Sequence, residues 1–317
     1  MTVFYMLVFP GFLFLLAFGL FAEFVDRKLY ARMQHRVGPP WFQPLADVVK
    51  LAAKEEIVPD MAEKSLFRLM PVVALTAVMT AFLFIPVFAT SGILGGFDGD
   101  IIVVLYLLTV PTLTFFLGGW YSRSLYSMIG AARSLTQLFA YEIPLFLSIL
   151  APSLLVIGPA QSAGWNLRAM AEWYNANPAW MLLNIPAFVV AMVALLGKLE
   201  RVPFDIPEAE TEIVAGSFTE YSGRLLAMFR LAINVEMVVG ASLIAAVFLP
   251  FGLMLGPAAA FGLYILKVLA IVAALALLRT VFARLRIEQM INFCWTIAAP
   301  VALVQLLVNL LAKGVLR

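Results

Sequence analysis

The chain carries 19 Asp and Glu residues in 317 positions, yet six of them fall between Glu200 and Glu220, inside KLERVPFDIPEAETEIVAGSFTEYSGR (198–224). Carboxylates at this density can pass protons, hold cations or simply face water, and composition leaves that choice open. Three further ionisable groups lie within apolar runs: Glu142 in LTQLFAYEIPLFLSIL, Glu236 in RLAINVEMVVG and Lys267 in LYILKVLAIV. A charge in hydrocarbon is costly, so each must pair, reach water or stay neutral. A series of such groups is what a proton relay requires; a buried Glu–Lys pair that only holds helices together is the plainer alternative. Pro144 closely follows Glu142, where a missing backbone donor tends to kink a helix and open polar backbone beside the carboxylate.

The residue types that are scarce exclude whole classes of chemistry. The sequence has one Cys, Cys294, and one His, His35. Iron–sulfur clusters draw on four thiolates, and zinc and haem sites on Cys and His, so no such site is expected from this chain alone. There is no Gly-rich phosphate loop after a strand pattern and no Ser–His–Asp set. No catalytic residue and no metal ligand is assigned, and redox chemistry is left to a partner.

The elements that must position these groups are membrane helices. Apolar residues make up 63% of the chain and charged residues 13%, which marks an integral membrane protein. Eight stretches are long enough to span: roughly 3–22, 68–90, 101–120, 134–158, 179–199, 226–250, 257–282 and 290–312. Alternating strand patterns are absent, so the expected fold is all-α, a single polytopic membrane domain over 1–317. The first stretch lacks the basic region of a secretory signal and reads as a retained helix. Seventeen Lys and Arg residues fall on the side of the connections near 23–67, 121–133, 200–225 and 283–289. Only Arg168, Lys313 and Arg317 fall on the other side. By the positive-inside bias these connections face the cytoplasm and both termini face outward.

Two local patterns refine this picture. QPLADVVKLAAKEE (43–56) sets Leu45, Val48, Val49 and Ala52 on one side of a helix and Asp47, Lys50 and Lys54 on the other, as in a helix along the membrane surface or beneath a partner. In the acidic stretch, Asp205, Pro207 and Glu208 read as a helix start, with the helix running to about Ala215 and stopping at Gly216. Ile206, Ala209 and Ile213 would form its apolar face, and Glu208 and Glu212 would stack one turn apart, a repulsion that something must offset. Val202, Pro203, Phe204 and Ile206 argue that the loop is packed.

ERVPFDIPEAETEIVAGSFTEYSG resembles the signature loop of the membrane subunit that joins the two arms of respiratory complex I. That family includes mitochondrial NADH dehydrogenase subunit 1, its bacterial H-subunit counterpart and the equivalent subunit of membrane-bound nickel–iron hydrogenases. DRKLYARMQHRVGPPWFQPLADVVKLAAKEEIVP, GAARSLTQLFAYEIPL and RTVFARLRIEQMINFCWTIAAP resemble other family segments, so the similarity spans nearly the whole chain. The resemblance implies eight tilted spans, no cofactor in this chain, and a peripheral module whose terminal iron–sulfur cluster lies just above it. It implies that Asp205, Glu208, Glu210, Glu212 and Glu220 line a coupling cavity and that Glu142, Glu236 and Lys267 carry the path into the membrane. Arg27, Arg36, Arg133, Arg284 and Arg286 would dock the partner or pair with the acids.

One departure bears on the branch. Quinone-reducing members carry a longer segment after R-x-G-P, whereas RVGPPWFQPLAD passes directly from Pro40 to Gln43 with two residues between. The short form resembles energy-converting hydrogenases and membrane-bound sulfane sulfur reductases, which take electrons from ferredoxin. The expected role is then a non-catalytic anchor and coupling subunit of a hydrogenase-type respiratory complex in a prokaryotic cytoplasmic membrane, moving H+ or Na+. Expected partners are an iron–sulfur subunit, a hydrogenase-like large subunit that carries a nickel–iron centre in the hydrogenase branch, antiporter-like membrane subunits, and lipid, with no nucleic acid. A quinone-site subunit of a complex I-type dehydrogenase, and an independent ion transporter, remain the alternatives.

Overall fold

A computed structural model describes residues 2–87, 93–156, 164–252 and 256–315, without the side chains of Thr2, Val3, Glu210, Thr211 and Val315. The described residues are helical throughout their ordered elements, with no strand among them. A short α1 (Thr2–Leu7) leads into α2 (Phe12–Met33), followed by α3 (Gln43–Ala53), α4 (Lys64–Phe82), α5 (Asp100–Tyr121) and α6 (Leu125–Leu150). Three short pieces, α7 (Ser153–Val156), α8 (Leu167–Ala176) and α9 (Ala179–Leu183), precede α10 (Ile185–Lys198). A single turn, α11 (Glu210–Ile213), comes before α12 (Gly223–Phe248) and α13 (Pro257–Val281). Finally α14 (Ile287–Phe293) passes through a π-helical turn at Cys294–Ala298 into α15 (Ala299–Val315).

Seven helical segments among the described residues are long and apolar enough to cross a membrane. The fifth expected span is broken instead. Asn184 separates α9 from α10, which is 14 residues long and carries Pro186 in its first turn. The break is held by side chains: Asn184 Nδ2 donates to Tyr174 Oη and Trp180 O at 3.0 and 3.1 Å, and its Oδ1 accepts from Asn309 Nδ2 at 2.7 Å. Other bounds shift as well. α2 runs on to Met33 and α6 begins at Leu125, so Glu23, Asp26, Arg27 and Arg133 all sit on helices. The ends of the second and fourth expected spans, parts of the connections that follow the second, fourth and sixth spans, and Arg317 lie outside the described residues.

α12 is the axis of the fold, buried along nearly its whole length and packed against α2, α3, α4 and α13. α6 organises a second group with α5, α10 and α15, and α4 joins the two groups through α5. Internal prolines create sites for tertiary bonds. Pro71 in α4 cannot donate to Phe67 O, and Tyr221 Oη donates to that carbonyl at 3.0 Å while its ring stacks on Phe67 with centroids 4.0 Å apart. This pins the end of the acidic connection onto the α4 side of the bundle.

The acidic connection does not form the expected capped helix. Helical structure starts only at Glu210 and lasts four residues, with Ala209 rather than Asp205 at its cap. The chain doubles back so closely that a Cβ on Gly216 would lie 1.8 Å from Pro207 O; Gly216 takes φ +53, which glycine adopts without penalty. Residues 207 and 216 on one continuous helix would stand about 13 Å apart. Phe204, Ile206, Ala209 and Ile213 are buried, so the loop is packed as its apolar residues implied.

Candidate functional site

Where the acidic connection meets α12, the fold frames a half-open cavity of about 550 Å³. Its walls come from α2, α3, the residues after α10, and α12, with Arg279 of α13 closing one side. α3 presents Asp47, Lys50 and Lys54 to the cavity and leaves Leu45 and Val49 exposed on its outer face. The amphipathic period read from sequence is present in part: Asp47, Lys50 and Lys54 stand on the cavity side, but Val48 of the expected apolar side joins them there with Pro44 and Leu51. Six carboxylates and seven cations line the space, so fixed charge is nearly balanced and local pairing decides the chemistry.

The pairing is uneven. On the α2 side the charges balance in a lattice that leaves Asp26 Oδ1 and Arg279 Nε without a hydrogen bond: Arg201 NH2 lies 2.6 Å from Glu23 Oε2 and its NH1 bonds Asp26. Arg279 NH1 reaches Asp26 Oδ2 at 3.0 Å, and Arg27 bridges Glu23 at 2.6 Å and Asp47 at 2.9 Å. Arg201 is largely shielded from solvent, and although that desolvation lowers its pKa, Asp26 and Glu23 outweigh it and raise it, keeping it charged. The Arg279 guanidinium also lies 4.3 Å from the Tyr30 ring centroid.

On the α12 side the pairing is incomplete. Glu236 is fully buried, with Lys198 Nζ 3.0 Å from Oε1, but neither carboxylate oxygen receives a hydrogen bond of good geometry. Lys198 Nζ instead donates to Leu108 O, a turn ahead of Pro111 in α5. Glu208 pairs with Arg230 at 3.0 Å. Glu200 is buried with Oε1 unbonded; burial first, and then the negative charge of Glu208, push its carboxyl up to about 8. Gln137 ties α6 to this corner by donating to Gly197 O at 2.7 Å and Phe204 O at 2.9 Å, and its Oε1 is unbonded. Buried polar groups that lack partners are rare and costly, and Glu200, Gln137 and Glu236 place several of them around the end of α10.

The structure thus brings Asp205, Glu208, Glu236 and Arg27 to one cavity. Glu142 lies outside the lining, half-buried on α6 beside the buried Tyr141, yet within electrostatic reach of Lys198. Glu212 is exposed and held by Arg133 at 2.7 Å and Arg284 at 3.5 Å; the Arg133 hydrogen bond lowers its pKa, with Arg286 contributing from further away. The expected stacking of Glu208 on Glu212 is absent, because Glu208 precedes the helical turn that begins at Glu210, and each acid meets its own arginine. Glu220 is half-buried at the far end of the loop, Arg36 is exposed, and the Glu210 side chain lies outside the described residues. Lys267 sits elsewhere: it donates to Leu249 O at 2.6 Å and to Phe251 O, at the end of α12 remote from the cavity. That point is about 20 Å from Glu236 along the helix. A cation on the last carbonyls of a helix is favourable in its own right.

Glu23, Asp26, Lys198, Arg201, Arg230 and Arg279 were not singled out from sequence, and Glu200 entered only as the first of the six clustered acids. Their signal was weak: Glu23, Asp26 and Arg27 follow an apolar run at helical spacing, but their partners lie up to 253 positions away. Among the described residues no group of three or more His, Cys, Asp or Glu is arranged to hold a metal ion.

Fold and site together define an all-helical membrane protein with a charged cavity at the end of its bundle. Residues 5–310 match the NADH dehydrogenase family, and the chain belongs to that family. It is 35% identical over 304 residues to NADH-quinone oxidoreductase subunit 8 of Thermus thermophilus, covering 92% of this chain and 81% of the relative. It is 32% identical over 310 residues to the NADH-quinone oxidoreductase H subunit of Carboxydothermus hydrogenoformans, covering 94% and 85%. Among solved structures, a chain of the membrane-bound sulfane sulfur reductase, an archaeal respiratory membrane complex, matches with a TM-score of 0.84 at 24% identity. That match covers 94% of this chain and 96% of the other, and establishes likeness of fold.

Proposed function

We propose that this chain is the membrane anchor and coupling subunit of a complex I-like respiratory assembly, without an active site of its own. Electron transfer in a peripheral iron–sulfur module on the cytoplasmic side would change charge beside the acidic connection. The cavity carboxylates would answer by shifting protons, and Glu142 would pass that shift towards antiporter-like membrane subunits that move H+ or Na+. The observation that carries this reading is the Lys198–Glu236 pair: a fully buried ion pair on the cavity wall whose carboxylate lacks hydrogen bonds. Such a pair is poised between charged and neutral forms because its burial cost is only partly offset. The short link between α2 and α3 favours the hydrogenase-type branch, with ferredoxin as electron source and clusters, including a nickel–iron centre in that branch, in partner subunits.

The test uses Glu142→Gln, which keeps shape and removes charge. Ions moved per electron in sealed vesicles should fall while electron transfer continues; an unchanged ratio would remove Glu142 from the path. A second reading, a quinone site, is favoured by the size of the cavity and by the names of the NADH-quinone oxidoreductase relatives. Reduction of a soluble quinone analogue by the purified complex, blocked by competing inhibitors, would support it. Hydrogen evolution from reduced ferredoxin without quinone would exclude it.

A further inference from the structure

Glu200 occupies a position that glycine normally fills. α10 ends at Lys198, and the chain then closes a terminating turn in which Glu200 N donates to Gly197 O at 3.2 Å and Arg201 N to Leu196 O at 3.3 Å. The residue at this point of such a turn is left-handed, and Glu200 has φ +50. A carboxylate here also faces the negative end of the helix dipole. Backbone, dipole and burial all disfavour an ionised glutamate, yet the carboxyl is placed inward.

Its surroundings hold unfilled hydrogen-bonding capacity. Glu200 Oε1, Ser134 Oγ, Gln137 Oε1 and both oxygens of Glu236 are buried without a hydrogen bond of good geometry, Glu236 Oε1 facing Lys198 Nζ at 3.0 Å, and Ser134, Gln137 and Glu236 belong to fully buried residues. Ser134 lies against the Glu200 carboxyl, while Gln137 bonds the backbone on either side of it, at Gly197 and Phe204. Unsatisfied buried acceptors in a polar space are what internal waters bind. The cations facing this space are committed elsewhere: Lys198 to Glu236, Arg230 to Glu208, Arg201 and Arg279 to Asp26, Arg27 to Glu23 and Asp47. Lys50 and Lys54 stand on the α3 wall and Tyr141 on α6, whereas Glu208, Glu236 and Asp205 all add negative charge at Glu200.

Resting on the coupling role proposed above, we infer that Glu200 is a resident proton carrier of the cavity, exchanging its proton with Glu236 through water held at Ser134 and Gln137. In that step the O–H bond on Glu200 breaks as one forms on the Glu236 carboxylate. Net charge is unchanged, negative charge moves from the bundle to the connection after α10, and Lys198 is left facing a neutral acid. A charge change on a docked redox partner would bias this exchange.

The test is made on the intact complex with two variants, Glu200→Gln, which preserves shape, and Glu200→Gly, which suits the left-handed backbone and so retains the helix end. Infrared spectra recorded against pH should show a protonated carboxyl band in the parent that is lost with a midpoint near pH 8 and is absent from both variants. Ions moved per electron should be lost in both variants while electron transfer persists. A band and titration that survive in both variants would overturn the inference. So would undiminished transport in both together with lost transport in Glu236→Gln, an outcome that leaves the coupling role standing. Undiminished transport in all three variants would overturn both.

Discussion

Two buried polar regions lie at opposite ends of α10 and are built on opposite terms. At its start, Asn184, Asn309, Gln305 and Tyr174 form a neutral network. Gln305 Nε2 donates to Leu183 O and Asn309 Oδ1, Asn309 Nδ2 to Ala151 O and Asn184 Oδ1, and Tyr174 Oη to Pro152 O. None of their atoms is buried without a partner. At its end, about 20 Å away, Lys198, Glu200 and Glu236 are as deeply buried, but they are charged or titratable and leave acceptors unfilled. Burial alone therefore does not mark function. A saturated neutral network fixes a broken helix, whereas an unsaturated titratable one keeps more than one protonation state within reach.

The largest effect should come from the lattice that frames the cavity. Arg201→Met leaves Glu23 and Asp26 short of a cation, a loss of about 3–5 kcal/mol. Failure of the chain to assemble, or a sharply lowered melting temperature in detergent, is the expected result. A variant as stable as the parent would mean that Arg27 and Arg279 suffice. Next, Lys198→Met alone should cost a similar amount by stranding Glu236, while Lys198→Met with Glu236→Leu should recover most of that stability, because apolar side chains replace buried ion pairs at little cost. Asn309→Leu should cost about 1–3 kcal/mol by orphaning Asn184 Oδ1 and Ala151 O, with ion transport per electron unchanged.

A further effect distinguishes the two regions by pH. The folded-state carboxyl of Glu200, at about 8, is raised from 4.5. Its contribution to stability is fully present below pH 4.5 and is lost as pH rises through 8. Thermal melting of Glu200→Gln should therefore fall less steeply than the parent between those limits. Substitutions in the Asn184 network should leave the slope as it is.

Much of the architecture was legible in the sequence because apolar length reports directly on spanning helices. The break at Asn184 was not, since it depends on Asn309 and Tyr174, which no local pattern places beside it. Asp205, Pro207 and Glu208 matched the local pattern of a capped helix, yet tertiary closure of Gly216 onto the Pro207 carbonyl overrode it. The cavity was partly legible: Asp205, Glu208 and Glu236 stand out in the sequence as acids in unusual settings. Glu23 and Asp26 do not, because they follow directly on the first apolar run, whereas α2 itself continues to Met33.

The most direct measurement is the number of ions moved per electron in proteoliposomes carrying the complex with Lys198→Met and Glu236→Leu together, compared with Asn309→Leu. The expected result is a stable double variant that transfers electrons but moves no ions, beside an Asn309→Leu variant that is less stable and fully coupled. A double variant that couples as well as the parent would contradict the assignment of the cavity as the site where electron transfer is converted into ion movement.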